Sequence, residues 1–420
     1  MTALHLGLDI GTSGVRAIVI DTAGAVVAQA VAAMPPPLRE GDSVLQDAEV
    51  WWQAVAEVLD DVVELGRVRA IAVDGTSGTL LLADARGRPR GPARLYNDAA
   101  CREEAARIKA VASPDSGAHG ATAALAKLLR LQSDPDAAHA LHQADWIAGR
   151  LLGRFGTSDE NNALKLGYDV VRRDWPGWFG KLAVRMALLL TVVPPGRALG
   201  PIDAAMARRF GFSPDAVIVA GSTDGCAAFI APGAAAVGEG VTSLGSTLVL
   251  KLLSDRPIFA PDQGVYSHRL GERWLVGGAS NSGGAALLRF FDEARMRALT
   301  EWLEPDRPTG LDYYPLPAPG ERFPIADPTL EPRVKPRPAD DATFFQGLLE
   351  GIAAIEARAY RTLAGLGAPP LRSVRTVGKG AGNRGWSTIR ARCLGVPLLD
   401  PASQEAAYGA ALLARQGAPS

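Results

Sequence analysis

Apolar and polar positions along the chain alternate between two regimes. Residues 4–10, 15–21 and 25–33 are short, β-branched apolar runs, broken by Gly11-Thr12-Ser13-Gly14 and Thr22-Ala23-Gly24. They predict three successive strands joined by tight turns. After Asp47, a good N-cap, Val50, Trp51, Ala54, Val55, Val58, Leu59 and Val62 recur on one face at helical spacing. Trp51 then faces the core and Trp52 is partly exposed. Residues 68–74 form another apolar run that enters Gly75-Thr76-Ser77-Gly78-Thr79, and strands resume at 80–83 and before Leu95-Tyr96-Asn97-Asp98.

Beyond residue 99 the helical period dominates, with the best helices at 121–131, 141–152 and 180–190. Thr157-Ser158-Asp159-Glu160-Asn161-Asn162 reads as a polar loop. A buried strand at 216–220 leads into Gly221-Ser222-Thr223-Asp224-Gly225, which opens a helix. Residues 241–250 repeat the opening pattern of apolar arm, Gly/Ser/Thr turn and apolar arm, a weak internal duplication. The boundary is set just before it, giving domains 1–238 and 239–420. Residues 303–341 hold ten of the 30 prolines, which excludes regular structure. Leu311, Tyr313, Tyr314, Leu316, Phe323 and Ile325 predict an ordered wrapping loop there. Helices follow at 344–363 and 384–394, and Ser403 is placed to cap the last one. A meander followed by alternating helices and strands implies an α/β protein with mixed sheets flanked by helices.

Composition narrows the function. A chain of 420 residues suits two domains. With 44 basic and 45 acidic residues dispersed along it, no basic run favours nucleic acid or an anionic membrane. Cys101, Cys226 and Cys393 are scattered and odd in number, which argues against a disulfide scaffold or structural zinc. The five histidines show no metal spacing. No leader pattern stands at the N-terminus and no apolar run is long enough for a bilayer, so a cytoplasmic protein is expected.

Three Gly-rich turns follow strands: Gly11-Thr12-Ser13-Gly14, Gly245-Ser246-Thr247 and Gly378-Lys379-Gly380-Ala381-Gly382-Asn383. None is a Walker A or a strict dinucleotide turn. Together they describe a cleft gripping a nucleotide from both domains, with backbone N–H groups cradling phosphate. Asp9, near the end of an interior strand, would sit on the metal side of a polyphosphate; alternatively it bonds its own turn. Asp224 stands where a strand becomes a helix and reads either as a plain N-cap or as a general base. Asp74, Thr76, Ser77, Asn97 and Asp98 cluster at strand ends and suit a polyhydroxylated ligand, or simple turn chemistry. No GxSxG elbow, HExxH or protein-kinase set competes.

Over essentially its whole length the chain resembles the FGGY family of carbohydrate kinases. The resemblance lies in Leu8-Asp9-Ile10-Gly11-Thr12-Ser13, Ala220-Gly221-Ser222-Thr223-Asp224-Gly225, Thr242-Ser243-Leu244-Gly245-Ser246-Thr247 and residues 406–414. Asp74-Gly75-Thr76-Ser77-Gly78-Thr79, Asn162-Ala163-Leu164-Lys165-Leu166-Gly167-Tyr168, Gly264-Val265-Tyr266-Ser267-His268 and the stretch from Gly310 to Pro317 resemble its D-ribulose kinase, xylulose-kinase-like branch. Typical xylulose kinases carry Gly-Gln-Met-His-Gly where this chain has Gly75-Thr76-Ser77-Gly78-Thr79, which counts against xylulose.

The resemblance implies two RNase H-like, actin/hexokinase-type domains with an inter-domain cleft closing on ATP and sugar. It implies Asp224 as catalytic base and Asp9 beside Mg²⁺ and sugar, with Asp9 and Asp224 reaching the metal through water. It implies Gly11, Thr12, Ser13, Gly245, Ser246 and Thr247 on the phosphates. Gly378, Lys379, Gly380, Asn383 and Trp386 would surround the adenosine, and Ser77 the sugar. The family's adenosine turn has a third glycine where this chain has Lys379. Lys there costs on the order of 1 kcal/mol if the backbone needs φ > 0, and nothing if it points outward.

The expected activity is ATP-dependent phosphorylation of a ketopentose, D-ribulose to D-ribulose 5-phosphate, by a monomer or homodimer. The alternatives are a kinase for xylulose, another pentulose or a polyol, and a nucleotide-dependent sensor or slow ATPase of the same fold.

Overall fold

A computed structural model of the chain describes residues 3–419. They form two compact units, residues 1–231 with 268–271 and 405–420, and residues 232–267 with 272–404. The chain thus leaves the first unit near the expected boundary, but residues 405–420 return to it rather than staying with the second.

In the first unit the opening strand Leu4–Ile10 is central. It pairs antiparallel with Gly14–Asp21 and parallel with Val68–Gly75. Val26–Ala33 extends the sheet on one side, and Val217–Thr223 and Ala198–Pro201 on the other, making six strands. Such a strand is covered on both faces, which is why Leu4, Leu6, Leu8 and Ile10 on one side and His5 and Gly7 on the other are all buried. On one face lies the helix Ala48–Asp61, capped by Asp47 accepting from the Glu49 N–H. Its Trp51 is fully buried and donates its indole N–H to Gln46, while Trp52 stays half-buried. On the other face lies the last helix, Ala406–Gly417. Gly7 is what lets it in: a Cβ there would stand 2.0 Å from the Ala407 carbonyl oxygen. That helix has Glu405 at its N-cap, so Ser403 does not cap it.

A second, five-stranded sheet in this unit orders Leu38–Glu40, Ser43–Gln46, Ala93–Arg94, Leu80–Ala83 and His139–His142. Helices Arg102–Lys109, Ala124–Leu131, Gln143–Leu152 and Glu160–Lys165 accompany it. Two expectations fail here. Residues 180–190 are not one helix but the 3₁₀ turns Gly177–Leu182 and Met186–Leu188, separated by Ala183 at φ 51°. The polar run 157–162 is not a solvated loop. Thr157–Asp159 is a strand, Glu160–Lys165 a helix, and Ser158, Asp159, Glu160, Asn161 and Asn162 are all buried.

In the second unit Arg273–Ser280, Leu248–Ser254, Glu239–Leu244, Ser373–Val377 and Leu398–Leu399 lie side by side in that order. Glu239–Leu244 pairs antiparallel with Leu248–Ser254 and parallel with Ser373–Val377. The first unit's opening strand has the same pair of neighbours, so the duplication read from the hairpins extends to topology. The helix Asp341–Gly365 packs on this sheet, and the proline-rich segment buries Tyr313, Tyr314, Leu316 and Phe323 as expected. Glu356 and Arg390 meet fully buried at 2.6 Å, with Thr242 and Thr376 hydrogen-bonded to them. This network ties both long helices to the strands that carry the two Gly-rich turns. No helix among the described residues is long and apolar enough to cross a membrane.

Candidate active site

Three parallel strands of the first unit, Leu4–Ile10, Val68–Gly75 and Val217–Thr223, carry a carboxylate at or just beyond their C-terminal ends. Asp9 is the register partner of Asp74 on one side. Ser222, two residues before Asp224, is its partner on the other. The carboxyl ends of parallel strands are where open α/β sheets present their ligand sites.

Asp74 has no exposed surface, and neither of its carboxyl oxygens meets a hydrogen-bond donor. Burial, then the charge of Asp9 beside it and that of Asp224 further off, push its pKa well above the carboxylate range. Burial also raises Asp9, against the opposing pull of Asp74 and Arg16. The two carboxyl groups are register partners on adjacent strands, an arrangement that disfavours both being ionised at once. Asp224 is half-buried at the start of the helix Asp224–Ile230 and accepts the Gly225 N–H at 2.6 Å.

Among the expected sugar ligands the structure separates frame from free groups. The Thr76 hydroxyl is engaged by Gln143 Oε1 at 2.8 Å and Thr79 Oγ1 at 2.6 Å, so it holds the turn together. Asp98 is fully buried in an ion pair with Arg94 at 3.0 Å and accepts the Val44 N–H. Both side chains are thus already engaged within the fold. Ser77 Oγ and Asn97 Oδ1 differ: each is shielded from water and without a partner. Native folds rarely leave such atoms unsatisfied, and sugar hydroxyls are groups that would satisfy them.

The first Gly-rich turn is closed by its own backbone, with the Gly11 N–H donating to the Gly14 carbonyl at 3.0 Å. That amide is therefore not free for phosphate, and the half-buried Thr12 and exposed Ser13 carry the polar groups of the turn. The second turn is built alike, the Gly245 N–H donating to the Thr247 carbonyl at 3.2 Å.

Within the second unit, Gly245 and Ser246 of that turn line a cavity of about 630 Å³ together with Lys379, Gly380, Asn383 and Trp386. Its volume is that of small-molecule sites. Six residues named from sequence thus share one cavity, whereas Thr247 and Gly378 are not on its wall. Gly378 shapes the turn instead: its φ is +89°, and a Cβ would meet the Leu244 carbonyl oxygen at 2.8 Å. The left-handed position is thus Gly378, not Lys379. Lys379 is 91% exposed, its Nζ 3.5 Å from Glu293, so the departure from the family turn carries no backbone strain. Asn383 caps the helix Arg384–Leu394 by accepting the Trp386 N–H, and donates to Thr300. Trp386 donates its indole N–H to the Leu349 carbonyl. Both side chains therefore frame the cavity with their polar groups already engaged.

Three features escaped the sequence reading. Lys127 is fully buried. His142 Nδ1 lies 2.8 Å from Asp145 Oδ2 and 3.4 Å from Ser158 Oγ. Both partners share one ring nitrogen, so this is no serine-nucleophile relay. Asp159, capping Glu160–Lys165, is pushed up to about 7 by burial and the neighbouring Asp145. An Asp followed by a helical run was the available clue to the cap; nothing local marks its burial.

Asp9, Asp74 and Asp224 load one edge of the sheet with carboxyl groups, which fits a hydrated divalent cation. Among the described residues no three His, Cys, Asp or Glu groups converge into a direct metal cage.

Comparison with known proteins agrees with this layout. Residues 4–231 match the N-terminal domain of the FGGY family of carbohydrate kinases, and residues 240–417 its C-terminal domain. Xylulose kinase of Escherichia coli is 28% identical over 292 residues, 64% of this chain and 59% of that protein. The match spans less than two thirds of that relative's length. An autoinducer-2 kinase of Yersinia pseudotuberculosis is 25% identical over 98% of this chain and 86% of its own. The crystal structure of xylulose kinase from Rhodospirillum rubrum superposes with a TM-score of 0.85 at 23% identity, covering 99% of this chain and 90% of that one. The two domain matches, the doubled hairpin topology and the carboxylates at the strand ends agree: this chain belongs to the FGGY family of carbohydrate kinases.

Proposed function

We propose that this chain is an ATP-dependent sugar kinase that transfers the γ-phosphoryl group to the 5-hydroxyl of a ketopentose, D-ribulose. The observation that carries the reading is Asp224, beside the Asp9–Asp74 pair at the strand ends, in a member of this family. Asp224 takes the proton from the attacking hydroxyl. That oxygen bonds to the γ-phosphorus as the bond to the β-phosphate oxygen breaks, and ADP leaves. The first unit binds the sugar through Ser77 and Asn97, and the second binds adenosine in its cavity. Asp9 and Asp224 would hold Mg²⁺ through water, which supplies charge neutralisation on the phosphates. Holding Asp74 neutral keeps the number of negative charges facing a polyanion low.

D-Xylulose is the second reading, favoured by the name of the Escherichia coli relative. Against it stands the loop Gly75-Thr76-Ser77-Gly78-Thr79, where a small hydroxyl, Ser77, is the side chain left for the sugar. ADP release from Mg-ATP with D-ribulose, D-xylulose or no sugar tests both. A large increase with D-ribulose supports the first reading, and one confined to D-xylulose the second. Release that no sugar changes points to an ATPase.

A further inference from the structure

Lys127 lies on the helix Ala124–Leu131 with no exposed surface. Its ammonium donates to the carbonyl oxygens of Leu95 at 2.6 Å, Gly78 at 2.7 Å and Thr122 at 2.9 Å. An ammonium has three donors, and here each is spent on a different loop. Burying a charged amine is costly, and an apolar side chain would fill a helix position at lower cost. What the charge provides is convergence: it draws together chain segments that lie 32 and 49 residues before it.

Both segments bear an unpartnered polar atom. Gly78 directly follows Ser77, whose Oγ is orphaned, and Leu95 stands two residues before Asn97, whose Oδ1 is orphaned. The third loop is drawn in as well: a Cβ on Gly78, at φ +88°, would stand 3.4 Å from the Thr122 carbonyl oxygen. Each loop has a further tie of its own, Thr76 to Gln143 and Asp98 to Val44, whereas Lys127 bonds to both loops at once.

We propose that Lys127 is a positioning residue for the acceptor sugar, fixing loops 75–79 and 95–98 against each other so that Ser77 and Asn97 meet the sugar's hydroxyls already ordered. Preorganisation of this kind lowers the cost of binding without touching the ligand. The inference rests on the assignment of these loops to the sugar.

Lys127→Met and Lys127→Gln test it. Met removes all three donors and Gln leaves two. In Lys127→Met the sugar KM rises about tenfold or more, with Gln intermediate, while the ATP KM and kcat stay within about threefold. Amide hydrogen exchange in 75–79 and 95–98 speeds up in both variants, a readout that needs no substrate. A wild-type sugar KM in Lys127→Met, or unchanged exchange in both loops, overturns the proposal. So does a loss spread equally over both substrates, which marks a merely structural lysine. Ser77→Ala and Asn97→Ala separate the two layers. If both leave the sugar KM unchanged, the loops are not the sugar site. If they raise it and Lys127→Met does not, the positioning role alone fails.

Should Lys127→Met not fold, Lys127→Gln and the wild-type pH profile decide. Burial brings the Lys127 amine down to about 8. The charged and titratable groups acting on it are Asp98, Arg94 and the Cys101 thiol, which burial pushes up; the Glu104–Arg130 pair, joining the helix Arg102–Lys109 to Lys127's own helix, acts on Cys101. A wild-type sugar KM that climbs above pH 8, in a step missing from Lys127→Gln, supports the proposal, and a step kept in that variant overturns it.

Discussion

Asp9 and Asp74 stand opposite one another on adjacent parallel strands, and burial with the neighbouring Asp9 charge raises the Asp74 pKa well above the carboxylate range. A neutral Asp74 is chemically close to an asparagine. Asp74→Asn is therefore expected to fold and to keep kcat within about tenfold of wild type, whereas Asp9→Asn, which removes the charge the pair retains, loses more. A fall beyond a hundredfold in Asp74→Asn would mean that Asp74 works ionised.

Asp224→Ala removes the proposed base, whose carboxylate accepts the neighbouring Gly225 amide. Sugar-dependent ADP release should fall by about 10²–10⁴-fold. ATP binding, followed by calorimetry, should stay close to wild type because the cavity proposed for adenosine lies in the second unit. Turnover at the wild-type rate would remove Asp224 from the chemistry.

Asp159 sets a pH signature. Its folded pKa of about 7 stands above the ordinary value of 3.8, so the folded chain binds more protons across that interval. Its contribution to stability is present at low pH, falls as pH rises from about 4 to 7, and levels off above. Asp159→Asn abolishes that slope. The substitution is accommodated by turning over the Asn162 amide, whose Oδ1 is buried without a donor and whose Nδ2 now donates to Asp159 at 2.6 Å. Melting temperatures between pH 4 and 8 should show a shallower decline in Asp159→Asn, and an unchanged slope would refute the assignment.

The late Gly-rich turn offers neighbouring positions with opposite sensitivities. Gly378→Ala forces a Cβ to 2.8 Å from a backbone oxygen at positive φ, so it should cost more than about 1 kcal/mol and weaken ATP binding. Lys379→Ala strips an exposed side chain and a 3.5 Å surface pair, and the ATP KM should move less than about threefold. Equal effects at both positions would contradict this reading of the turn.

Glu356→Ala leaves Arg390 buried without its carboxylate. Breaking such a pair from one side costs about 3–5 kcal/mol, which chemical denaturation measures directly. Because the same network anchors the strands before both turns of the second unit, ATP affinity should fall with it. Unaltered stability would show that Arg390 finds water or another acceptor.

Local pattern carried a large part of this. The two hairpins, the capped helix with Trp51 inside, and the aromatic residues among the prolines were legible because each is written within a few neighbouring residues. Gly245, Ser246, Lys379, Gly380, Asn383 and Trp386, read from short motifs, line one cavity. What stayed hidden depends on partners far along the chain. The tie of Asp98 to Val44, 54 residues away, has no local signature, and neither has the burial of Lys127. Residues 157–162 are polar yet buried, because their hydrogen bonds are supplied inside the fold rather than by water. Residues 180–190 had the composition of a helix, but Ala183 in the left-handed region breaks it.

The return of Ala406–Gly417 to the first unit has a consequence for biosynthesis. On a ribosome the opening strand emerges early, yet the helix that covers Gly7 and its neighbours is made only after the whole second unit. At about 5–20 residues per second, the first sheet waits roughly ten to forty seconds with one apolar face uncovered. A nascent chain of this protein must therefore be sheltered or kept loosely folded until its last helix arrives, and a message cut short upstream of that helix yields a product marked for disposal by its own bare sheet.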